Sequence, residues 1–168
     1  MIEYVESLND DTMANQFNII FSEGIPGGGD GRLLTLRMDK ALDIPERSVE
    51  EYNIQYQGIK VPKTSLQEET TKEITLNFRL DGNWQVYRAL NNWYKLVFNE
   101  SNGSGGSEAS TRVPMLFNSF GAQKQLIFSM RFNGVKIKKI KLETFDMSSA
   151  EPARVEAVLI YFDREDLT

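Results

Sequence analysis

Apolar and polar residues alternate along most of the chain, and that period of two predicts a protein built mainly of strands. Residues 15–22 place Phe17, Ile19 and Phe21 at every second position, and residues 32–38 do the same with Leu34, Leu36 and Met38. The Gly/Pro-rich stretch 24–31 between them predicts a hairpin with a long loop. Residues 49–57 have two contrasting sides, Tyr52, Ile54 and Tyr56 against Glu51, Asn53, Gln55 and Gln57. Gly58 then permits a bend, and Pro62 argues against a central paired position. Residues 67–80 carry Ile74, Leu76, Phe78 and Leu80 on the apolar side and Glu69, Thr71, Glu73, Thr75 and Asn77 on the wet side. Residues 125–132 and 135–145 read as two further strands with Asn133-Gly134 as the turn between them. The last strand, 154–162, is apolar on both faces from Val158 to Phe162, which predicts a central strand or one covered by another subunit.

One segment departs from this period. In residues 84–98, Trp84, Tyr87, Leu90, Tyr94 and Val97 recur at spacings of three and four, which predicts a helix that Asp81-Gly82-Asn83 can cap. A stripe with three aromatics packs on the sheet, so Trp84 belongs to the core and Trp93, beside the stripe, is free to touch a neighbouring subunit. Residues 1–14, with Ile2, Val5 and Leu8, suggest a short helix or arm. The stretches 24–31 and 101–111 read as mobile loops. The expected architecture is one domain over residues 1–168, mainly β: an antiparallel sandwich or barrel with one docked helix and long loops.

Composition removes several kinds of chemistry. The chain has 168 residues with no cysteine and no histidine, so thiolate nucleophiles, Cys/His zinc sites and the usual neutral-pH base are missing. Its carboxylate pairs, Glu50/Glu51 and Glu68/Glu69, are adjacent in strands and point to opposite faces, so neither can flank one bond. The glycines of 24–31 lack the Gly-Lys-Ser/Thr ending of a phosphate loop, and no helix start is expected after them. No catalytic residue, cofactor or metal is expected. A net charge of -5 argues against tight binding of nucleic acid. Lys136, Lys138, Lys139 and Lys141 read as a solvated strand face, because no aromatics are interleaved for base stacking. The start of the chain has no basic, then apolar, signal-peptide pattern, and no apolar run approaches the roughly 18 residues of a membrane span.

The order of these elements resembles the tail tube proteins of contractile-tailed phages, a family related in fold to the ring protein of type VI secretion. The resemblance is carried by Asn15-Gln16-Phe17 after a short arm, Ala41-Leu42-Asp43-Ile44-Pro45 leading into a long strand, and the alternating strands around Tyr52 and Ile74. It continues through the helix with Trp93 and ends on Phe132-Asn133-Gly134-Val135, residues 140–146 and residues 155–163. The Gly-rich loops at 24–31 and 101–111 depart from the family pattern. The resemblance implies a structural virion protein of the tail, assembled in the host cytoplasm. Six subunits form a ring, each giving four strands to an inner barrel, and stacked rings conduct DNA. It implies lumen-lining residues Glu51, Asn53, Gln55, Gln67 and Glu69, and a subunit interface at Val158, Ile160, Phe162 and Trp93. The implied partners are further copies of the chain and sheath, baseplate and tape-measure proteins, with DNA only in transit and no membrane. The alternatives are a small-ligand-binding β-barrel, a tube initiator or terminator, and a type VI relative; a ligand barrel can be a monomer, whereas a tube cannot.

Overall fold

A computed structural model of the chain describes residues 16–39, 42, 44–68, 72–121 and 123–167, with backbone only at 66–68. The arm expected at residues 1–14 lies outside the described residues. The first strand, β1 (Phe17–Ile20), is followed by a helix, α1 (Gly31–Arg37), and the two-residue β2 (Met38–Asp39). A hairpin comes next, β3 (Val49–Tyr56) and β4 (Ile59–Glu68), and then β5 (Glu73–Arg79). Helix α2 (Gln85–Val97) and the single turn α3 (Glu108–Thr111) precede β6 (Val113–Phe120), β7 (Leu126–Leu142), β8 (Arg154–Ile160) and β9 (Asp163–Leu167).

The strands other than the hairpin form one curled antiparallel sheet, ordered β1-β6-β7-β8-β5-β2, with β9 paired to β7. The fold is mainly β, as the alternation predicts. The sheet does not close on itself, because β1 and β2 are its two ends. Its concave side is filled by Ile74, Leu76, Phe78, Phe132, Ile137, Val155 and Leu159, and by Val86, Leu90 and Trp93 from α2. Strand β8 lies between β5 and β7, the central place its two apolar faces predict.

Several local expectations are corrected. Residues 32–37 are helical and Met38 begins the short β2, so 32–38 is not the second strand of a hairpin, and β1 pairs with β6 instead. Leu34 is fully buried while Leu36 is 75% exposed, a difference that an alternating strand face would not produce. The helix starts because the Asp30 carboxylate accepts from the Arg32 amide at 3.0 Å. Within the stretch 24–31, Ile25 is buried and bridges to Gly29, while Gly27, Gly28 and Asp30 are exposed. At the end of 101–111, Ser107 caps α3 and Thr111 is buried.

Asn133-Gly134 is not a turn. Strand β7 runs through it for 17 residues, and the register against β6 slips there, Met115 facing Phe132 but Val113 facing Val135. Gly134 takes φ +65°, so the dipeptide makes a bulge: β6 pairs on both sides of it, β9 only before it and β8 only beyond it.

The helix exists as predicted, but its phase differs. Trp84 sits outside α2 with φ +58° and is 37% exposed, stacked on Phe145 and edge-on to Tyr87. The buried positions are Val86, Ala89, Leu90 and Trp93, a regular three- and four-residue series, with Tyr87, Tyr94 and Val97 flanking it. Trp93 has no exposed surface; its indole Nε1–H donates to the Thr111 carbonyl at 2.8 Å, and its ring meets Phe21 edge-on at 6.0 Å. The expectation that Trp93 reaches a neighbour is therefore corrected: its side chain is spent inside its own subunit. Asp81 does cap the helix, its carboxylate accepting from the Val86 amide at 3.3 Å. Partial desolvation works against that charge, but the amides of Val86, Asp81 and Gln85 outweigh it and hold the Asp81 carboxyl below its ordinary range.

A candidate assembly surface

The hairpin stands apart from the sheet. Gln57 and Gly58 have φ +50° and +81°, the left-handed pair of a two-residue turn whose twist matches its strands. The pairs then run Tyr56 with Ile59, Gln55 with Lys60, Ile54 with Val61, Asn53 with Pro62, Tyr52 with Lys63 and Glu51 with Thr64. Pro62 is tolerated because each strand of a two-stranded ribbon is an edge.

This register sorts the side chains into two faces. One carries Tyr52, Ile54, Tyr56, Ile59 and Val61, exposed by 51, 42, 67, 69 and 39%. The other carries Glu51, Asn53, Gln55, Lys60, Pro62 and Thr64. Every residue of β3 is exposed, on both faces. The apolar side of 49–57 therefore does not meet the subunit's own core. The physical reason is the partner: β3 pairs with β4 and not with a strand of the sheet, so no core lies beneath it. The continuing alternation at Ile59 and Val61 after Gln57-Gly58 is the signal that identifies the hairpin; taking Gly58 as a bend hides it.

The root of the hairpin is tied down. Arg164 of β9 donates to the Pro45 carbonyl at 2.8 Å, and Arg47 donates to the Arg164 carbonyl at 3.3 Å. The exposed ribbon thus leaves the subunit from an anchored base.

The expected lumen residues divide. Glu51, Asn53 and Gln55 share the polar face of the hairpin. Gln67 belongs to β4, of whose side chain nothing is described, and Glu69 lies outside the described residues. Sequence reasoning missed Lys60, which sits opposite Gln55 and makes the face mixed in charge.

The remaining interface candidates lie elsewhere. Val158 and Ile160 are half-buried on the sheet face away from the core, Val158 between Thr75 and Lys139, Ile160 between Glu73 and Lys136. Lys138 reaches Glu73 across this face. Phe162 is 55% exposed, with the Arg112 guanidinium 3.7 Å from its ring centre. Arg112 also donates to Gly134 O at 2.6 Å and to Glu108, which accepts from Lys136 at 2.9 Å as well. Those two cations, Lys136 first, hold the Glu108 carboxyl below its ordinary 4.5. This cluster fastens α3 to the bulge in β7. Its groups are engaged with one another, and among the described residues no acidic cluster is arranged to hold a metal ion. No helix among them is long and apolar enough to cross a membrane.

An open sheet with a detached two-faced hairpin is the shape of a part, not of a catalyst. The sequence pattern of phage tail tube proteins matches residues 12–168. The chain belongs to the phage tail tube protein family. It is a structural protein and not an enzyme. A chain in the sheath/tube terminator of an extracellular contractile injection system superposes with a TM-score of 0.68 at 12% identity, covering 96% of this chain and 100% of that one. A chain in the baseplate of the anti-feeding prophage gives 0.64 at 11% identity over 95% and 97%. A chain in that prophage's tube-terminating cap gives 0.65 at 12% over 96% and 94%. At these identities the likeness concerns the fold. No match is found among curated protein sequences.

Proposed function

We propose that the protein is a ring-forming tube subunit: six copies close a ring, rings stack, and the bore conducts DNA. The observation that carries this reading is the hairpin, whose apolar face has no partner among the described residues of its own subunit although its root is anchored. A two-stranded ribbon with both faces wet is marginal by itself. It gains stability by burying that face on another copy, which leaves Glu51, Asn53, Gln55 and Lys60 facing water in the bore. A channel face with mixed charge does not grip phosphates. Val158 and Ile160, on the outer face of the sheet, and Phe162 are proposed as further contacts between copies.

The likeness to chains in terminator and baseplate assemblies supports sheath and baseplate partners in a phage-like particle; a tape-measure protein inside the bore and assembly in the host cytoplasm belong to the same proposal. The likeness also favours a second reading, the tube of a contractile injection system, whose cargo need not be DNA. Tubes assembled with and without DNA in the particle distinguish the two.

The test of assembly is electron microscopy and native mass spectrometry of the purified protein beside a Tyr56→Ser, Ile59→Ser variant. Wild type forms rings or tubes, and the variant stays monomeric with an unchanged folded spectrum. A folded wild-type monomer at all concentrations, with assembly seeded by a baseplate also failing, overturns the reading.

A further inference from the structure

Residues 143–153 join β7 to β8 and fold around a pocket of about 120 Å³ lined by Glu143, Phe145, Asp146, Glu151 and Arg154. Arg154 is the one cation of that lining, and its charge is already shared: it bridges to Asp39 at 2.7 Å and to Glu151 at 3.0 Å. Asp146 meets no cation among the described residues. Its Oδ1 accepts from the Ser148 amide at 2.9 Å and from the Ser148 hydroxyl at 2.7 Å. These bonds, the amide first, outweigh partial desolvation and hold the carboxyl below its ordinary range. Beside the pocket stands an exposed aromatic stack. Phe145, 59% exposed, lies parallel to Trp84 with ring centres 6.0 Å apart, and Tyr87 meets Trp84 edge-on. Trp84 reaches this stack from a φ of +58°, a left-handed conformation that a bulky residue rarely adopts and that its surroundings must enforce.

We propose that this pocket binds an arginine side chain from a basic segment of another protein. Carboxylates can also hold a metal ion, but among the described residues no three acidic side chains are arranged to do so. A space of about 120 Å³ admits the end of one side chain and is too small for a larger ligand. The neighbouring groups select arginine over lysine. A planar guanidinium lies against the exposed Phe145 ring while its fork of N–H donors meets the Asp146 carboxylate. A lysine ammonium is a compact, strongly hydrated charge that uses neither the ring nor the fork fully. Overall charge points the same way. Acidic residues outnumber basic ones 24 to 19, a net charge of -5, so the chain attracts a cationic segment and repels a second copy of itself. One desolvated arginine beside aromatic rings is a common anchor of a protein contact. The site stands apart from the hairpin and from the residues assigned to contacts between copies.

The two tryptophans give a direct test, because Trp93 has no exposed surface and a soluble quencher therefore reads Trp84 alone. Acrylamide quenching of the full chain is followed while acetyl-Gly-Arg-Gly-amide is added, with the lysine and citrulline peptides for comparison. The arginine peptide protects Trp84 saturably, the lysine peptide binds at least about threefold more weakly, and the neutral citrulline peptide does not protect. Asp146→Asn keeps an oxygen for the Ser148 bonds but removes the charge, and it weakens binding about tenfold or more. Phe145→Ala leaves every charge in place and replaces an exposed ring, so weaker binding with an unchanged circular dichroism spectrum separates this site from general attraction to an acidic protein. Each variant is read against its own baseline without peptide. The absence of saturable protection, equal protection by the citrulline peptide, or unchanged binding in either variant overturns the proposal. Protection by calcium or magnesium chloride alone makes this a metal site and overturns it. Protection that arises on self-assembly without peptide gives the pocket to a second copy and likewise overturns it.

Discussion

Replacing Trp93 is the sharpest test of how the subunit is held together. Its side chain is fully buried, and it joins three parts of the fold: α2, the end of β1 through Phe21, and α3 through the Thr111 carbonyl. Trp93→Ala opens a large cavity, at a cost of about 3–5 kcal/mol. Trp93→Phe keeps most of the volume but removes the N–H, leaving a buried carbonyl without its donor, at about 1–3 kcal/mol. Against a typical total of roughly 5–15 kcal/mol, the alanine variant is folded only marginally. Urea unfolding of the hairpin-disabled monomer, followed by far-UV circular dichroism, measures all of these free of assembly. Trp84→Ala serves as the control: its ring is 37% exposed and lies outside the helix, so it costs well under the Trp93 value. Equal losses for Trp84→Ala and Trp93→Ala would refute the helix phase. A Trp93→Phe variant as stable as wild type would refute the role given to the indole hydrogen bond.

Three further outcomes follow from the structure. Gly134→Ala strains a φ of +65° and sets a new Cβ 2.1 Å from the Phe162 ring, so it loses at least ~1–2 kcal/mol of stability in the same assay. Glu108→Gln lowers the melting temperature at neutral pH. Because the folded Glu108 carboxyl is held below its ordinary 4.5, the wild-type advantage is present above that value and disappears as pH falls through the folded one; melting curves from pH 7 to about 3 should converge. Glu51→Lys raises the net charge of each subunit by two, on a face that already carries Lys60, so assembled tubes should retain DNA at low salt and release it at high salt, and delivery at the wild-type rate would remove Glu51 from the bore.

The strands were legible in the sequence wherever one face is buried. Ile74, Leu76 and Phe78 alternate because the core lies on one side of β5, and Val155, Ala157 and Leu159 do so in β8. Legibility fails where the same pattern has another cause. Leu34, Leu36 and Met38 alternate by accident of a seven-residue helix, too short for its own period to show. Leu90 belongs to two apolar series along α2, and the aromatic one leads to Trp84, which the backbone puts outside the helix. Asn-Gly marks a turn when two strands end there and a bulge when one continues, and only the pairing of β6 with both sides of it decides. The hairpin is the most instructive case. Its alternation is as clear as that of β5, yet its apolar face is exposed, because periodicity reports that a face is to be buried and not whether the burying surface belongs to the same chain.

That distinction separates two energies in this protein. The apolar core, from Ile19 to Tyr161, is complete without the hairpin, since no residue of β3 contributes to it. On our reading, subunit stability and assembly strength are therefore set by different residues: Trp93, Phe132 and Leu159 for the first, Tyr56 and Ile59 for the second. A subunit built this way folds before it assembles and stays folded as a monomer while the exposed ribbon waits for a partner. It also carries the hazard that any apolar ribbon carries, pairing with the wrong surface. Pro62 within β4 and Lys63 opposite Tyr52 limit that hazard, the first by removing an amide donor, the second by placing a charge on the apolar face. The docking surface must accommodate that ammonium group, so a correct partner offers apolar space for the tip and a polar or acidic rim near the base, a requirement that an arbitrary hydrophobic strand does not meet.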